Sequence, residues 1–162
     1  MGTGGERADT GWTVAGLGSP HGDDVLGWRV AGAVAARLGT EAVLADGAAR
    51  LLPALAAARR ALVVDAAAGL PPGAVRELPP EALRRGARLS SHGLGLAEAL
   101  AAARAAGGAR EVRIFGVGVA PEACRPGAPP SRGLDAVAAR AARAVLAALT
   151  HGARGEAGGE AP

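Results

Sequence analysis

The 162-residue sequence predicts a single α/β domain, a three-layer αβα sandwich with a mostly parallel, twisted sheet and one segment that is either irregular or an antiparallel edge strand. Short runs that are apolar throughout, residues 42–45 and 61–64 above all, suit strands covered on both faces, because neither face of such a strand meets water. Stretches with apolar residues at helical spacing alternate with these runs, and that alternation builds parallel sheets through crossover helices. Gly, Pro and Asp-Gly punctuate the boundaries.

Taken in order, residues 12–17 form a β-favouring run ended by Gly18, Ser19 and Pro20, and residues 25–38 carry apolar side chains at helical spacing up to Gly39. Residues 42–45 read as a second strand ending at Asp46-Gly47. Pro53 marks the start of a helix through Leu55 to Ala58, since its fixed φ suits a first helical turn. A third strand, 61–64, ends at Asp65. The Pro and Gly residues of 71–73 break the rhythm, so 75–78 is expected as an irregular or antiparallel edge strand. Ser90 and Ser91 are placed to cap a helix running to about residue 106. Residues 112–119 give the last strand, 121–132 a Pro-rich loop and 134–149 a closing amphipathic helix. The domain is expected to span 12–151, with Gly-rich, polar and disordered tails at 1–11 and 152–162.

Composition narrows the function classes. With 49% hydrophobic residues the chain can bury a full core without staples. The single cysteine, Cys124, excludes an intrachain disulfide, and a lone thiol without a secretory leader fits a cytoplasmic protein. No apolar run reaches the roughly 18 residues of a membrane span, so no membrane partner is expected. The pI is about 10.8, yet the net charge is only +3. Every basic side chain is Arg, whose high pKa inflates the pI without a strong field at neutral pH. The arginines are scattered, and two Trp and one Phe are the only aromatics. Nucleic-acid binding is therefore not expected. The chain is expected to be a monomer.

Ligands of an open parallel sheet sit beyond the carboxyl ends of the strands, where the strand order reverses. Asp23 and Asp24 follow the first predicted strand, Asp46 ends the second, Asp65 ends the third, and His92 opens the helix before the last. Each has a structural reading too. An Asp at a helix start caps orphan N–H groups, which explains one of the pair Asp23-Asp24 but not both. Asp46 before Gly47 is ordinary turn chemistry. Asp65, next to Leu62-Val63-Val64, would be costly near a core unless bonded, paired or metal-bound. His92 lies between Ser91 and Gly93, in a loop at the expected ligand edge. Two carboxylates and an imidazole form an oxygen-oxygen-nitrogen set suited to a borderline divalent metal such as Ni or Zn.

A competing reading starts from Gly16-Leu17-Gly18, after the first strand, with Asp46 ending the next. This imitates a dinucleotide-binding fingerprint and would make the chain a nucleotide-binding Rossmann-like oxidoreductase fragment. Against it, Asp23 and Asp24 occupy the helix start where a pyrophosphate would bind, and two anions repel a third.

Together the segments resemble the hydrogenase maturation peptidases. The family's Gly-x-Gly-Asn loop leading to an acidic pair and a later Gly reads here as Gly16-Leu17-Gly18-Ser19, Asp23-Asp24 and Gly27. Its Asp-Gly matches Asp46-Gly47, and its apolar strand ending in Asp matches Leu62-Val63-Val64-Asp65. Its Ser-x-His-x-Leu-Gly-Leu matches Ser90 to Leu96, and its Gly-Val-x-Pro-Glu matches Gly118 to Glu122. The resemblance implies an endopeptidase that removes the C-terminal extension of a [NiFe] hydrogenase large-subunit precursor after nickel insertion. Asp24, Asp65 and His92 would be the metal ligands and Asp46 a nearby acidic residue influencing cleavage. Nickel, borne by the precursor, would be the metal, with Zn or Cd as surrogate. Ser19 stands where the family has Asn, and the loop to Asp23 is about one residue short. A non-proteolytic relative acting as a binding protein is therefore the second alternative. His21, within that loop, is read as an exposed loop histidine rather than a ligand, and Cys124 as no nucleophile, since no His-plus-acid set is tied to it.

Overall fold

The computed structural model describes residues 11–85 and 93–152. Its first half alternates β1 (Trp12–Leu17), a 310 turn (Gly22–Val25), α1 (Leu26–Arg37), β2 (Ala42–Ala45), a second 310 turn (Ala48–Leu51), α2 (Leu52–Ala57) and β3 (Arg60–Ala67). Then come β4 (Val75–Leu78), a 310 segment (Pro80–Arg85), α3 (Gly93–Ala105), β5 (Glu111–Gly118), a 310 turn (Pro121–Cys124) and α4 (Leu134–Gly152). Most expected elements lie within a residue or two of these bounds, the usual fraying of element ends. The predicted tails and the capping role of Ser90 and Ser91 fall largely or wholly outside the described residues.

The strand order is β2-β1-β3-β5-β4, with β4 antiparallel to β5 and the other pairs parallel. The chain first steps from β1 outward to β2, then returns to add β3 on the other side of β1. Strand order therefore reverses between β1 and β3, which makes their carboxyl ends the expected ligand crevice. Alternation along each strand splits the core. Val14, Leu62, Val64, Ala66, Phe115 and Val117 pack with α1 and α4, whereas Ala15, Leu17, Ala61, Val63 and Ile114 pack with α2 and α3. Both faces are covered, as the all-apolar strands require. On α4, Leu134, Ala138, Ala141, Ala142 and Val145 are the buried residues, the single apolar stripe of an amphipathic helix.

One difference from the sequence reading bears on the site. The third strand was expected to stop at Val64; β3 continues to Ala67, with Asp65 opposite Gly116 and Ala67 opposite Gly118. Asp65 thus lies inside the strand rather than after it. By parity with Ala61 and Val63 its side chain shares the face that α2 and α3 cover.

Two glycines let α1 press onto the sheet. A Cβ at Gly27 would collide with the Leu17 carbonyl and lie 3.3 Å from that of Val64, so the helix start crosses the ends of β1 and β3 at backbone distance. At Gly16 a Cβ would lie 2.8 Å from the Gly27 carbonyl and 2.9 Å from Ala31 Cβ. Among the described residues no helix is long and apolar enough to cross a membrane.

Gly27→Ala is expected to destabilise the protein by about 1–3 kcal/mol or more through overpacking against fixed backbone. Gly32→Ala, on the same helix with nothing within 4 Å of the added methyl, should stabilise it by about 0.5–1 kcal/mol. Urea unfolding of the two variants measures both signs.

Candidate active site

The carboxyl edge of the sheet gathers the acidic residues singled out from the sequence. Asp23 and Asp24 lie in the 310 turn between β1 and α1, each 8% exposed, and Asp65 in β3 is 0% exposed. These are the buried charged residues among those described. Ionised carboxylates at such depth must be compensated, and Asp24 and Asp65 both have interaction partners. The turn that carries Asp24 packs against β3, so Asp24 and Asp65 flank the reversal between β1 and β3.

The two neighbouring acids divide their labour. Asp23 Oδ1 accepts a 2.7 Å hydrogen bond from the Ser131 backbone N–H, tying the turn to the loop that precedes α4. Neither acid stands at an N-cap position: the 310 turn has His21 there and α1 has Val25, and neither of these makes a side-chain cap bond.

Asp46 is placed differently. It follows β2, adjacent to β1, and pairs with Arg50 at 3.2 Å on the surface, where both side chains are exposed. The end of β2 is itself well fixed, since the Ala45 carbonyl accepts from Trp28 Nε1 at 2.9 Å and from the Gly18 N–H at 3.1 Å. His92 lies outside the described residues. The helix that begins with the next residue, α3, packs on the face that Asp65 shares, and Gly95 in its first turn sits against Ala48, two residues beyond Asp46. Among the described residues no three His, Cys, Asp or Glu side chains converge as a metal site.

The Pro-rich loop forms a second rim. A 310 turn at its start, Pro121–Cys124, packs on the Asp23-Asp24 turn. The Gly22 N–H donates to the Ala128 carbonyl at 2.8 Å, and the Gly127 N–H donates to His21 Nδ1 at 3.1 Å. Gly22 has φ +56°, and a Cβ there would collide with the Ala123 carbonyl, so the backbone conformation and the close approach both require glycine. His21 is thus an exposed loop residue, and its ring anchors the Pro-rich loop. The sequence missed this clamp, because its partners lie more than 100 positions apart.

Cys124 is half-buried beside the acids. Burial pushes its thiol up to about 11, with the charges of Asp24, Asp23 and Glu122 adding to the shift. At neutral pH it is protonated and a poor nucleophile.

The acidic turn closely covers the glycine loop. A Cβ at Gly18 would collide with the Asp24 carbonyl, so the acidic turn already occupies that position.

A family model described as HycI, hydrogenase maturation protease, matches residues 41–149, a span that includes Asp46, Asp65 and His92 and begins after Asp24. Comparison with curated protein sequences returned no match. Among solved structures the chain is similar to the hydrogenase maturating endopeptidase HybD from E. coli, at 27% identity over 87% of this chain and 93% of that one, with a TM-score of 0.63. It also shares the fold of the [NiFe] hydrogenase maturation protease HybD from Thermococcus kodakarensis, at 22% identity over 83% and 96% of the two chains and a TM-score of 0.62.

Because Cys124 is the sole cysteine, its alkylation can be read without ambiguity. The rate of modification by iodoacetamide should rise with pH around a midpoint near 11, against roughly 8.5 for a free thiol. Asp24→Asn should move that midpoint down, since it removes a negative charge that disfavours the thiolate. An unchanged midpoint would place Asp24 elsewhere.

Proposed function

Since the chain belongs to the hydrogenase maturation protease family and is thus an endopeptidase rather than a nucleotide-dependent oxidoreductase, we propose that it trims the C-terminal extension of a [NiFe] hydrogenase large-subunit precursor. In this reading Asp24, Asp65 and His92 grip nickel that the precursor already carries. The observation that carries it is a pair of buried carboxylates, Asp24 in the turn after β1 and Asp65 in the neighbouring β3, at the point where strand order reverses.

Nickel is here part of the substrate. Two anionic oxygens and an imidazole would meet it from one side, leaving its remaining positions to the precursor's own ligands. Binding would fix the scissile peptide against the enzyme, and orientation of this kind lowers the barrier to attack by water. Hydrolysis breaks the peptide C–N bond, leaving a carboxylate on the mature subunit and an amine on the released extension. Asp46, exposed one strand away, would act on the approaching precursor rather than on the metal. The Asp23 bond to Ser131 supports the reading indirectly, because it fixes the turn that carries Asp24.

Asp24→Asn, Asp65→Asn and His92→Gln should each cut processing of a nickel-loaded precursor by about 100-fold or more, the scale on which misplaced substrate loses rate. Mass spectrometry of the precursor's C-terminus reads the loss, and a melting temperature close to that of the parent separates a lost ligand from a lost fold. His21→Gln should still process. Normal cleavage by both Asp24→Asn and His92→Gln would refute the assignment.

The free protein should hold nickel weakly, since three protein ligands complete the coordination only with the precursor's. Titration calorimetry of the isolated protein should show no stoichiometric, tight uptake. Tight retention without precursor would argue against nickel as the substrate's recognition signal.

A further inference from the structure

Beside the acidic turn, on the sheet face covered by α1 and α4, lies a cleft of about 290 Å3. Its floor is glycine. A Cβ at Gly118 would collide with the Pro71 carbonyl, and Gly73, at φ +80°, would place one 3.9 Å from Val137. The walls are apolar, from Leu26, Val119, Leu134 and Val137, and Arg132 and Arg140 line it as well. Leu134, Val137 and Arg140 follow each other at three-residue spacing, so they run along one side of α4 over about 9 Å. Arg132 and Arg140 are exposed, and among the described residues neither has an ion-pair or hydrogen-bond partner. Three other arginines are paired: Arg29 with Asp135, Arg60 with Glu111 and Arg113 with Glu77. The single carboxylate lining the cleft, Asp23, is engaged by the Ser131 N–H.

We propose that this cleft is a peptide subsite that captures a free C-terminal carboxylate, with Arg132 and Arg140 on the carboxylate and the apolar walls around the last side chain. The volume suits one or two residues rather than a cofactor. Two guanidinium groups without partners beside a small apolar hollow complement an anionic group attached to an apolar body, and arginine matches a carboxylate's two oxygens. A chain end provides both features in a single residue. The assignment rests on the peptidase reading above, because the substrate of that reaction is cut near its C-terminus and the cleft adjoins the turn that carries Asp24. Arg132 and Arg140 would then select the extension by its end rather than by its sequence.

The test uses short peptides, so that it does not depend on cleavage. Binding of acetyl-Ala-Leu-Val with a free carboxylate to the full chain is measured by amide chemical-shift titration and compared with the same peptide as its C-terminal amide. The amide-capped peptide acetyl-Ala-Leu-Glu-amide supplies a side-chain carboxylate instead. The free acid should bind at least about tenfold more tightly than its amide, the scale of one charge-assisted contact, with shifts at Val119, Leu134 and Val137. Arg132→Gln with Arg140→Gln should erase the preference while leaving the melting temperature in place. In processing assays the same pair should raise KM for the precursor and leave kcat near the parent value. Equal binding of free acid and amide, or a preference that survives the double variant, would overturn the proposal. Equal binding of the amide-capped Glu peptide would also overturn it, by substituting an acidic side chain for the chain end. Peptide binding as expected without any precursor cleavage would instead fault the peptidase reading and leave the subsite standing.

Discussion

Helix α1 crosses the carboxyl ends of β1 and β3 at backbone distance, and much of the site depends on that crossing. It requires two absent side chains, at Gly16 and at Gly27. With the helix pressed onto the sheet, the turn before it has nowhere to go but over the strand ends, and Asp23 and Asp24 are carried there with it. A longer or looser connection would let both carboxylates turn to water, which is where isolated charges are most stable. Burial of Asp24 is thus a consequence of how closely a helix and a strand pair can approach, a constraint set by the core rather than by any ligand.

The same constraint explains why the rim is shared between distant parts of the chain. The turn over β1 is held down from above by the Pro-rich loop, through Gly22 to Ala128, His21 to Gly127 and Asp23 to Ser131. Each bond satisfies a backbone N–H that would otherwise depend on solvent. The loop brings with it Cys124, whose thiol the nearby charges help to keep protonated, and Arg132, which faces the cleft at the end of β5. A peptidase acting on another folded protein needs such a rim, since a substrate chain must be led across the strand ends and not merely touched at one point.

Much of the fold was legible because strands covered on both faces leave a simple trace, an unbroken apolar run, and the runs at 42–45 and 61–64 lie within β2 and β3. The antiparallel edge strand was legible from the Pro and Gly residues that interrupt the rhythm before it. The carboxylates were legible by position alone, since the strand ends are where a parallel sheet binds ligands. Other features left no local mark. Strand β3 runs on past Val64 because β5 continues alongside it, a pairing between residues about fifty positions apart. The different fates of Asp23 and Asp24 were hidden as well. Two adjacent acids are indistinguishable in sequence, and the N–H group that engages Asp23 comes from Ser131, 108 positions away.

Whether Asp24 and Asp65 meet a metal that arrives with the substrate can be read from nickel K-edge absorption on the freeze-quenched complex of this protein with a nickel-loaded large-subunit precursor. Nickel should gain light oxygen or nitrogen neighbours when the two proteins associate, and Asp65→Asn, still bound to the precursor at high concentration, should show fewer of them. A nickel coordination shell that is the same in the free precursor and in the complex would contradict that contact.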